Sequence, residues 1–563
     1  MVSRLVPHLF ILLPARRSLR IGTMTLDIFG YSMSLTWLLV LTIALLVVVF
    51  LLYDTWCHTY WRRKGVVYHP ALPIIGSLEF SMGVPEVFTF LAKKYGRVYG
   101  VYAPRIPMLV VGDPDMLRLI MVKNFSNFHN RLDFALNNRE LRQALPSLED
   151  ERWREVRNLL TPTFSAAKMR QMSNLVNKAA DKLMEHIGSQ QKKDGYIECK
   201  SVFGSFVMDV IGSCAFGLDV DSQANPNDPF VAHARRAFTF DAKSPLVALS
   251  SLFPALGEIF NFLGIVRFIP KDVVAFFADI TKKTVALRKS APRSDKGKSV
   301  DFLQLMIDAQ SSYKEKVTET KDEGDKDDIH ADIERHHDVD FHTKTLSKNV
   351  LLTDTELVGQ AIIFFTAGYE TTNTLLGFVF YLLSTHPEIQ EKLIQEVDEM
   401  TPSRDSVGYT SIATMPYLDQ VVCETLRLYP PAAVINRRCT ESFTYNGMTI
   451  EPGVVIFIPV YNIHHDEKYW PDPEKFDPNR FSKAEKDKRH PFAWLPFGAG
   501  PHNCIGMRFA LMEAKMAIAR LLQKYRFETC PQTEVPPKLG DNGFLSPPNG
   551  VTLRIVPRTD AVN

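Results

Sequence analysis

The spacing of apolar positions changes character several times along the chain. From 28 to 53 no residue is charged, and LTWLLVLTIALLVVVFLLY is almost wholly apolar. About 20 such residues carry a helix across a bilayer core, so 28–53 is expected to be a transmembrane anchor. A cleaved signal sequence would have a shorter apolar stretch and a small-residue cleavage site. The run continues as YDTWCHTYWRRKG, with aromatic residues and then Arg62, Arg63 and Lys64, the pattern of an interfacial belt and a positive flank. Residues 54–76 form a basic flank and hinge, in which Pro70, Pro73 and Gly76 predict a stiff, turn-rich exit.

Beyond the hinge the periods shorten and lengthen in turn. GRVYGVYAPRIPMLVVGDP predicts two strands around a turn. Helical periods dominate from about 114 to 430. Strand patterns return in FTYNGMTIEPGVVIFIPV, where Asn446-Gly447 suits a type I′ turn, and in VTLRIVP at the end. With no internal repeat, residues 77–563 are expected to form one large domain, mainly α with small β-sheets. The charged stretch 314–342, containing His336 and His337, predicts a solvated loop. The apolar stretch 244–277, interrupted by Pro254 and Pro270, fits either core or a flap touching the bilayer.

The longest helical pattern, LTDTELVGQAIIFFTAGYETTNTLLGFVFYLLSTHP, opens with Thr353 and Glu356 spaced as a capping box and stops at His386-Pro387. It predicts about 50 Å of helix. Between 357 and 385 only Glu370 is charged, and it lies beside Gly368, Thr371, Thr372, Asn373 and Thr374. A charge in mid-span makes a second membrane crossing costly, so a helix through the middle of the domain is expected. Gly368 and the threonines predict a local distortion of that helix.

Composition sets limits. The 563 residues carry a net charge of only +2, with 46% hydrophobic and 23% charged residues, which excludes bulk nucleic-acid electrostatics and leaves room for a large core. The seven cysteines are scattered without a C-x-x-C pair, against a disulfide framework. Only His502 lies close to Cys504, too few partners for zinc. Before the anchor, Arg4, Arg16, Arg17 and Arg20 precede the first acid, Asp27. Residues 1–27 are therefore a leader or a mis-assigned start. A start at Met24 would leave only Asp27 on the amino side and place the body in the cytosol.

Other motifs carry chemistry. In VVCETLRLYPP, Glu424 and Arg427 share one helix face among apolar neighbours, a buried structural pair with Arg480 as a candidate third member. In WREVR, Trp153 and Arg157 share a face, so an indole N–H and a guanidinium can approach one anion. In PFGAGPHNCIG, Cys504 precedes a helical period. The helix amino end favours thiolate, and Gly498, Gly500 and Gly506 let backbone and a flat ligand come close. One sulfur, with the remaining coordination from a macrocycle, is the pattern of a haem ligand.

Together these residues resemble the cytochrome P450 family, the haem-thiolate monooxygenases, over nearly everything after the anchor. The signature F-x-x-G-x-R-x-C-x-G is matched at Phe497, Gly500, Cys504 and Gly506; the acid–alcohol motif at Ala367, Gly368, Glu370 and Thr371; the E-x-x-R pair at Glu424 and Arg427. One departure is His502, where the family usually has arginine. The resemblance implies haem b with Cys504 as axial iron ligand, and Thr371 with Glu370 as the proton-delivering pair. It implies Trp153, Arg157, Arg437, His502, Phe497 and Arg131 around the haem, His502 being expected to protonate beside a propionate. Phe364, Ala367, Val434 and Phe544 are implied as substrate-pocket residues. Dioxygen, electrons from NADPH through NADPH–cytochrome P450 reductase, and cytochrome b5 as a further partner are implied too. Arg152 and Arg154 are the basic contacts expected for the reductase.

FFTAGYETT and PFGAGPHNCIG look most like the microsomal group rich in detoxifying enzymes, including insect enzymes that oxidise plant toxins and insecticides. An endoplasmic-reticulum membrane protein with a cytosolic body and lipophilic xenobiotic substrates is thus expected. The alternatives are a steroid, hormone or fatty-acid hydroxylase, a mitochondrial location, and a non-catalytic membrane haem-binding protein.

Overall fold

The computed structural model describes residues 25–28, 31–77, 83–132, 139–225, 228–237, 244–253, 269–290, 301–312, 352–401, 407–540 and 544–559, with a few positions between 256 and 265. The expected leader up to residue 24 and the charged stretch 314–342 lie outside the described residues.

The apolar run forms a helix over Leu35–Cys57, with mean hydropathy 2.7 and its apolar length outside the body. It begins later than expected, because Thr25–Ile28 and Tyr31–Ser34 pair as an antiparallel hairpin; this segment is rich in Thr and Ser, which favour the helix less than the Leu/Val run. It also ends later, passing through Asp54. That carboxylate is buried, accepts from the Ile74 N–H at 2.9 Å and faces Arg105 at 3.6 Å, so its charge does not end the helix. The flank beyond it is docked: Trp61 is fully buried and its indole donates to the Val101 carbonyl at 3.1 Å.

The predicted strands Val98–Ala103 and Ile106–Val111 form an antiparallel pair. Val455–Ile458 joins the second in parallel and Ile435–Arg438 closes this four-stranded sheet. Asn446 and Gly447, both at positive φ, turn the small hairpin Phe443–Tyr445/Met448–Ile450 as a type I′ turn requires. The terminal strand Thr552–Pro557 lies between Tyr525–Glu528 and Tyr196–Glu198.

Helices make up the rest. The central helix, Asp354–Thr385, has the predicted capping box and packs against Cys199–Ile211, Lys271–Ser290, Pro416–Leu428 and Met507–Leu522. The expected distortion at Gly368 does not break it: the helix is continuous, although the Thr371 hydroxyl does donate back to the Ala367 carbonyl at 2.7 Å. Cys199–Phe216 is also apolar enough to span a membrane by composition, but it is largely buried in the core. In the stretch 244–277, Leu246, Ile259, Leu263 and Ile265 are exposed, Val273, Val274 and Phe277 are buried, and Phe253 stacks on Phe50 of the anchor. That stretch is thus part core and part apolar surface beside the anchor.

Candidate functional site

The loop before the last long helix is shaped by its own backbone. The Cys504 N–H donates to the Phe497 carbonyl at 2.9 Å and the Asn503 N–H to the Gly500 carbonyl at 3.0 Å. Gly500 has φ +70°, and a Cβ there would lie 2.0 Å from the Met121 carbonyl oxygen. Its glycine therefore admits the helical turn Leu119–Lys123, not a flat ligand. Gly506 has nothing within 4 Å of its Cβ direction.

Cys504 is surface-accessible, yet enough protein surrounds it to desolvate the thiol. Both hold for a group lining an internal cavity. Burial pushes the thiol above its ordinary value, while a hydrogen bond from the Gly506 backbone and the charges of Arg157 and Arg131 pull it down. Burial wins, so the helix terminus alone does not produce the expected thiolate; a bound cation would, because a coordinating thiol is deprotonated.

Three arginines converge on the backbone next to this sulfur. Arg131 donates to the His502 carbonyl at 2.8 Å, and Arg437 donates to the same oxygen at 3.3 Å. Arg157 donates to the Asn503 carbonyl at 3.0 Å and to its side-chain Oδ1 at 2.6 Å. Trp153 stacks on His502 with ring centroids 4.4 Å apart. Among the described residues no carboxylate pairs with any of the three guanidiniums. Burial, then mutual repulsion, pulls Arg437 well below its ordinary value.

His502 feels the same field. Burial first, then Arg131, Arg437 and Arg157, hold its imidazole well below the ordinary value. By itself this environment favours the neutral ring, the opposite direction from the one expected beside a propionate. Neutral imidazole still has one N–H to donate.

Four buried donor or ring atoms here have no hydrogen-bond partner: Trp153 Nε1, His502 Nε2, Arg131 Nε and Arg437 Nε. Buried polar groups are rarely left so. A cationic cluster with unpartnered donors fits two carboxylates, and a sulfur beside it fits an iron. These residues therefore fit a haem, with its propionates among the arginines and its iron at Cys504.

On the central helix, Ala367 is exposed in the middle of an otherwise buried element, and Phe364, Gly368 and Thr371 around it are half-buried. Phe364, and Ile505 next to Cys504, pack on one apolar cluster that also holds Trp153. The Phe364 ring meets Phe164 and Phe302 edge-on. Val434 is half-buried just before the strand that carries Arg437. Phe544 is exposed, its backbone bridged to Ala432. Glu370 lies 3.3 Å from the Lys200 ammonium, and Asn373 donates to the Lys200 carbonyl at 3.0 Å. Neither Lys200 nor Asn503 was picked out from the sequence. Asn503 adjoins Cys504 and could have been, whereas no local signal marks Lys200.

Glu424 and Arg427 are fully buried and joined by two hydrogen bonds of 2.7 and 2.8 Å. Arg427 also donates to the His464 and Lys475 carbonyls. Arg480 approaches Glu424 at 3.4 Å. Arg152, expected as a docking contact, is half-buried, and its guanidinium grips Glu356 twice at 2.6 Å. Arg154 pairs with Glu151 at the surface.

The family profile described as Cytochrome P450 matches residues 67–332 and 313–555. The chain is 39% identical to cytochrome P450 3A9 of Rattus norvegicus over 537 residues, covering 95% of this chain and 99% of that protein. It is 39% identical to cytochrome P450 3A6 of Oryctolagus cuniculus over 526 residues, 93% of this chain and 97% of that protein. Against cytochrome P450 3A5 of Homo sapiens the identity is 38% over 523 residues, 92% and 96% of the two chains. With a match along nearly its whole length, the chain belongs to the cytochrome P450 family of haem-dependent monooxygenases, which use dioxygen and a redox partner.

Proposed function

We propose that this protein oxidises lipophilic small molecules of foreign origin, taking electrons from NADPH through NADPH–cytochrome P450 reductase. The observation that carries the proposal is the accessible face Phe364–Ala367–Thr371 on a helix otherwise sunk in apolar core. An apolar space with one hydroxyl selects by shape and greasiness, which suits a broad substrate range. Haem held by Cys504, Trp153, Arg157, Arg131, Arg437 and His502 would supply the oxidative chemistry. Phe497 supports the ligand loop through its carbonyl.

The chain's own residues have narrower tasks. The Thr371 hydroxyl donates its proton to the Ala367 carbonyl, so its oxygen keeps lone pairs to accept a proton or a water. Glu370, one residue away, is held by Lys200; released from that lysine, the carboxylate would take up a proton from water and pass it to Thr371 or an adjacent water. Phe364, Ala367, Val434 and Phe544 would line the substrate side. Glu424, Arg427 and Arg480 would keep the packing beneath the ligand loop.

The apolar helix Leu35–Cys57 and the exposed Leu246, Ile259, Leu263 and Ile265 support a single-pass anchor and an apolar contact with lipid. We place the protein in the endoplasmic-reticulum membrane with its body in the cytosol, where reductase and cytochrome b5 can dock.

Optical titration of the ferric protein with a panel of lipophilic toxins, steroids and fatty acids tests this, together with turnover in the presence of reductase and NADPH. Soret shifts with many unrelated toxins and NADPH-dependent products are expected. A tight response to a single steroid or fatty acid would replace the xenobiotic role with a dedicated one. No turnover of any bound compound would leave a haem-binding protein. Cys504→Ser should abolish the thiolate spectrum; an unchanged spectrum would refute the ligand assignment.

A further inference from the structure

The helix Asp150–Leu160 presents Trp153 and Arg157 to the arginine cluster, and something must set its rotation. Successive residues of a helix are about 100° apart. Trp153 and Arg157 therefore lie roughly 40° from each other, and Arg152 projects roughly 100° to one side of Trp153. Arg152 is the residue of this helix that is locked to another element by a two-pronged ion pair. Its Nε donates to Glu356 Oε1 and its Nη2 to Glu356 Oε2, both at 2.6 Å. Its Nη1 donates to Glu155 Oε2 at 2.8 Å. Glu356 is itself immobilised: it is buried, and Oε2 accepts from the Thr353 N–H at 2.7 Å and the Thr353 hydroxyl at 3.0 Å.

The same stretch of the central helix is fitted to the segment that leads into Asp150–Leu160. Gln360, fully buried, accepts from the Leu145 N–H at 2.9 Å and donates to the Gln143 carbonyl at 2.8 Å. A Cβ on Gly359 would lie 2.4 Å from the Glu140 carbonyl oxygen. The amino end of the central helix is thus a fixed reference surface, and Arg152 reads its position into the helix that carries Trp153 and Arg157.

We propose that Arg152 is a positioning residue for haem: through Glu356 it sets the rotation of Asp150–Leu160, and so aims the Trp153 indole and the Arg157 guanidinium at the propionates. This rests on the assignment of Trp153 and Arg157 as haem donors. A planar fork bonded at two points resists rotation in a way that a single ammonium contact does not. It also links the two sides of the site, since the helix gripped by Arg152 is the one that bears Ala367, Glu370 and Thr371.

The test is the rate of haem transfer from the full-length holoprotein to an excess of apomyoglobin, at a temperature well below unfolding, read beside the melting temperature. Arg152→Gln should speed haem loss about 5- to 30-fold. Arg152→Lys, which keeps the charge and loses the fork, should recover only part of that. Arg154→Gln, which breaks an exposed pair, should change it less than two-fold. In a background of Trp153→Phe and Arg157→Gln, the Arg152→Gln effect should vanish, because there is nothing left to aim. Haem loss within two-fold of wild type in Arg152→Gln, or an undiminished Arg152→Gln effect in that background, would overturn the proposal. Should Arg152→Gln fail to fold, Arg152→Lys carries the same cycle. If instead Trp153→Phe and Arg157→Gln leave haem loss unchanged, the donor assignment itself fails.

Discussion

Glu513 offers the sharpest quantitative test of the core. It sits on the helix that follows Cys504, Met507–Leu522, is fully buried, and neither carboxyl oxygen has a hydrogen-bond partner. Burial alone drives its carboxyl well above the ordinary value of 4.5. The nearby Cys214 thiol is pushed up too, by burial and then by Glu513. Above pH 4.5 the unfolded chain releases this proton while the fold keeps it. The unfolded state then binds fewer protons, so this residue's contribution to stability is present in acid and is lost as pH rises. Holding the proton above that ordinary value costs stability that grows with every pH unit for as long as the fold keeps it. Glu513→Gln has nearly the same shape and no proton to hold. It should therefore gain on wild type as pH rises above 4.5, the gap widening by about 1 kcal/mol per pH unit while the fold holds the proton. Urea unfolding read by pulse proteolysis at several pH values measures that gap. A gap that stays constant with pH, or wild type proving the more stable at pH 7.5, would refute a protonated Glu513.

Three further outcomes follow from other contacts. Glu424→Gln leaves Arg427 as a buried charge without its counter-ion and should cost about 3–5 kcal/mol, seen as a lowered melting temperature and poor recovery of holoprotein. Gly500→Ala puts a methyl group into the Met121 carbonyl at positive φ; about 1–3 kcal/mol of strain is expected, read as a lower ratio of haem to protein. Thr371→Val removes the hydroxyl from the open face of the central helix. It should leave haem content unchanged while NADPH consumption yields less product and more hydrogen peroxide; unchanged coupling would remove Thr371 from proton delivery.

Many of these features were legible in the residues because they are local. An apolar run of sufficient length makes the helix Leu35–Cys57 whatever surrounds it. Thr353 and Glu356 are one turn apart and cap the central helix. Asn446-Gly447 takes positive φ at both positions, and Glu424 meets Arg427 three residues on. Backbone geometry alone brings such groups together.

The tertiary structure decided whatever depended on distant partners or on burial. Arg152 grips Glu356, 204 residues away in sequence. Glu370 meets Lys200, and Arg131, Arg157 and Arg437, from separate parts of the chain, converge beside Cys504. Neither pairing has a periodic trace, since it arises where independently formed helices and strands happen to pack. Protonation follows the same rule. Burial and neighbouring guanidiniums pull His502 below its ordinary value, and burial raises the bare Cys504 thiol, because desolvation and such neighbours are properties of the assembled core. The sequence by itself thus determined the elements and the kinds of chemistry they carry; only packing decided which side chains meet and which of them bear charge, because burial and long-range contact exist only once the chain has folded.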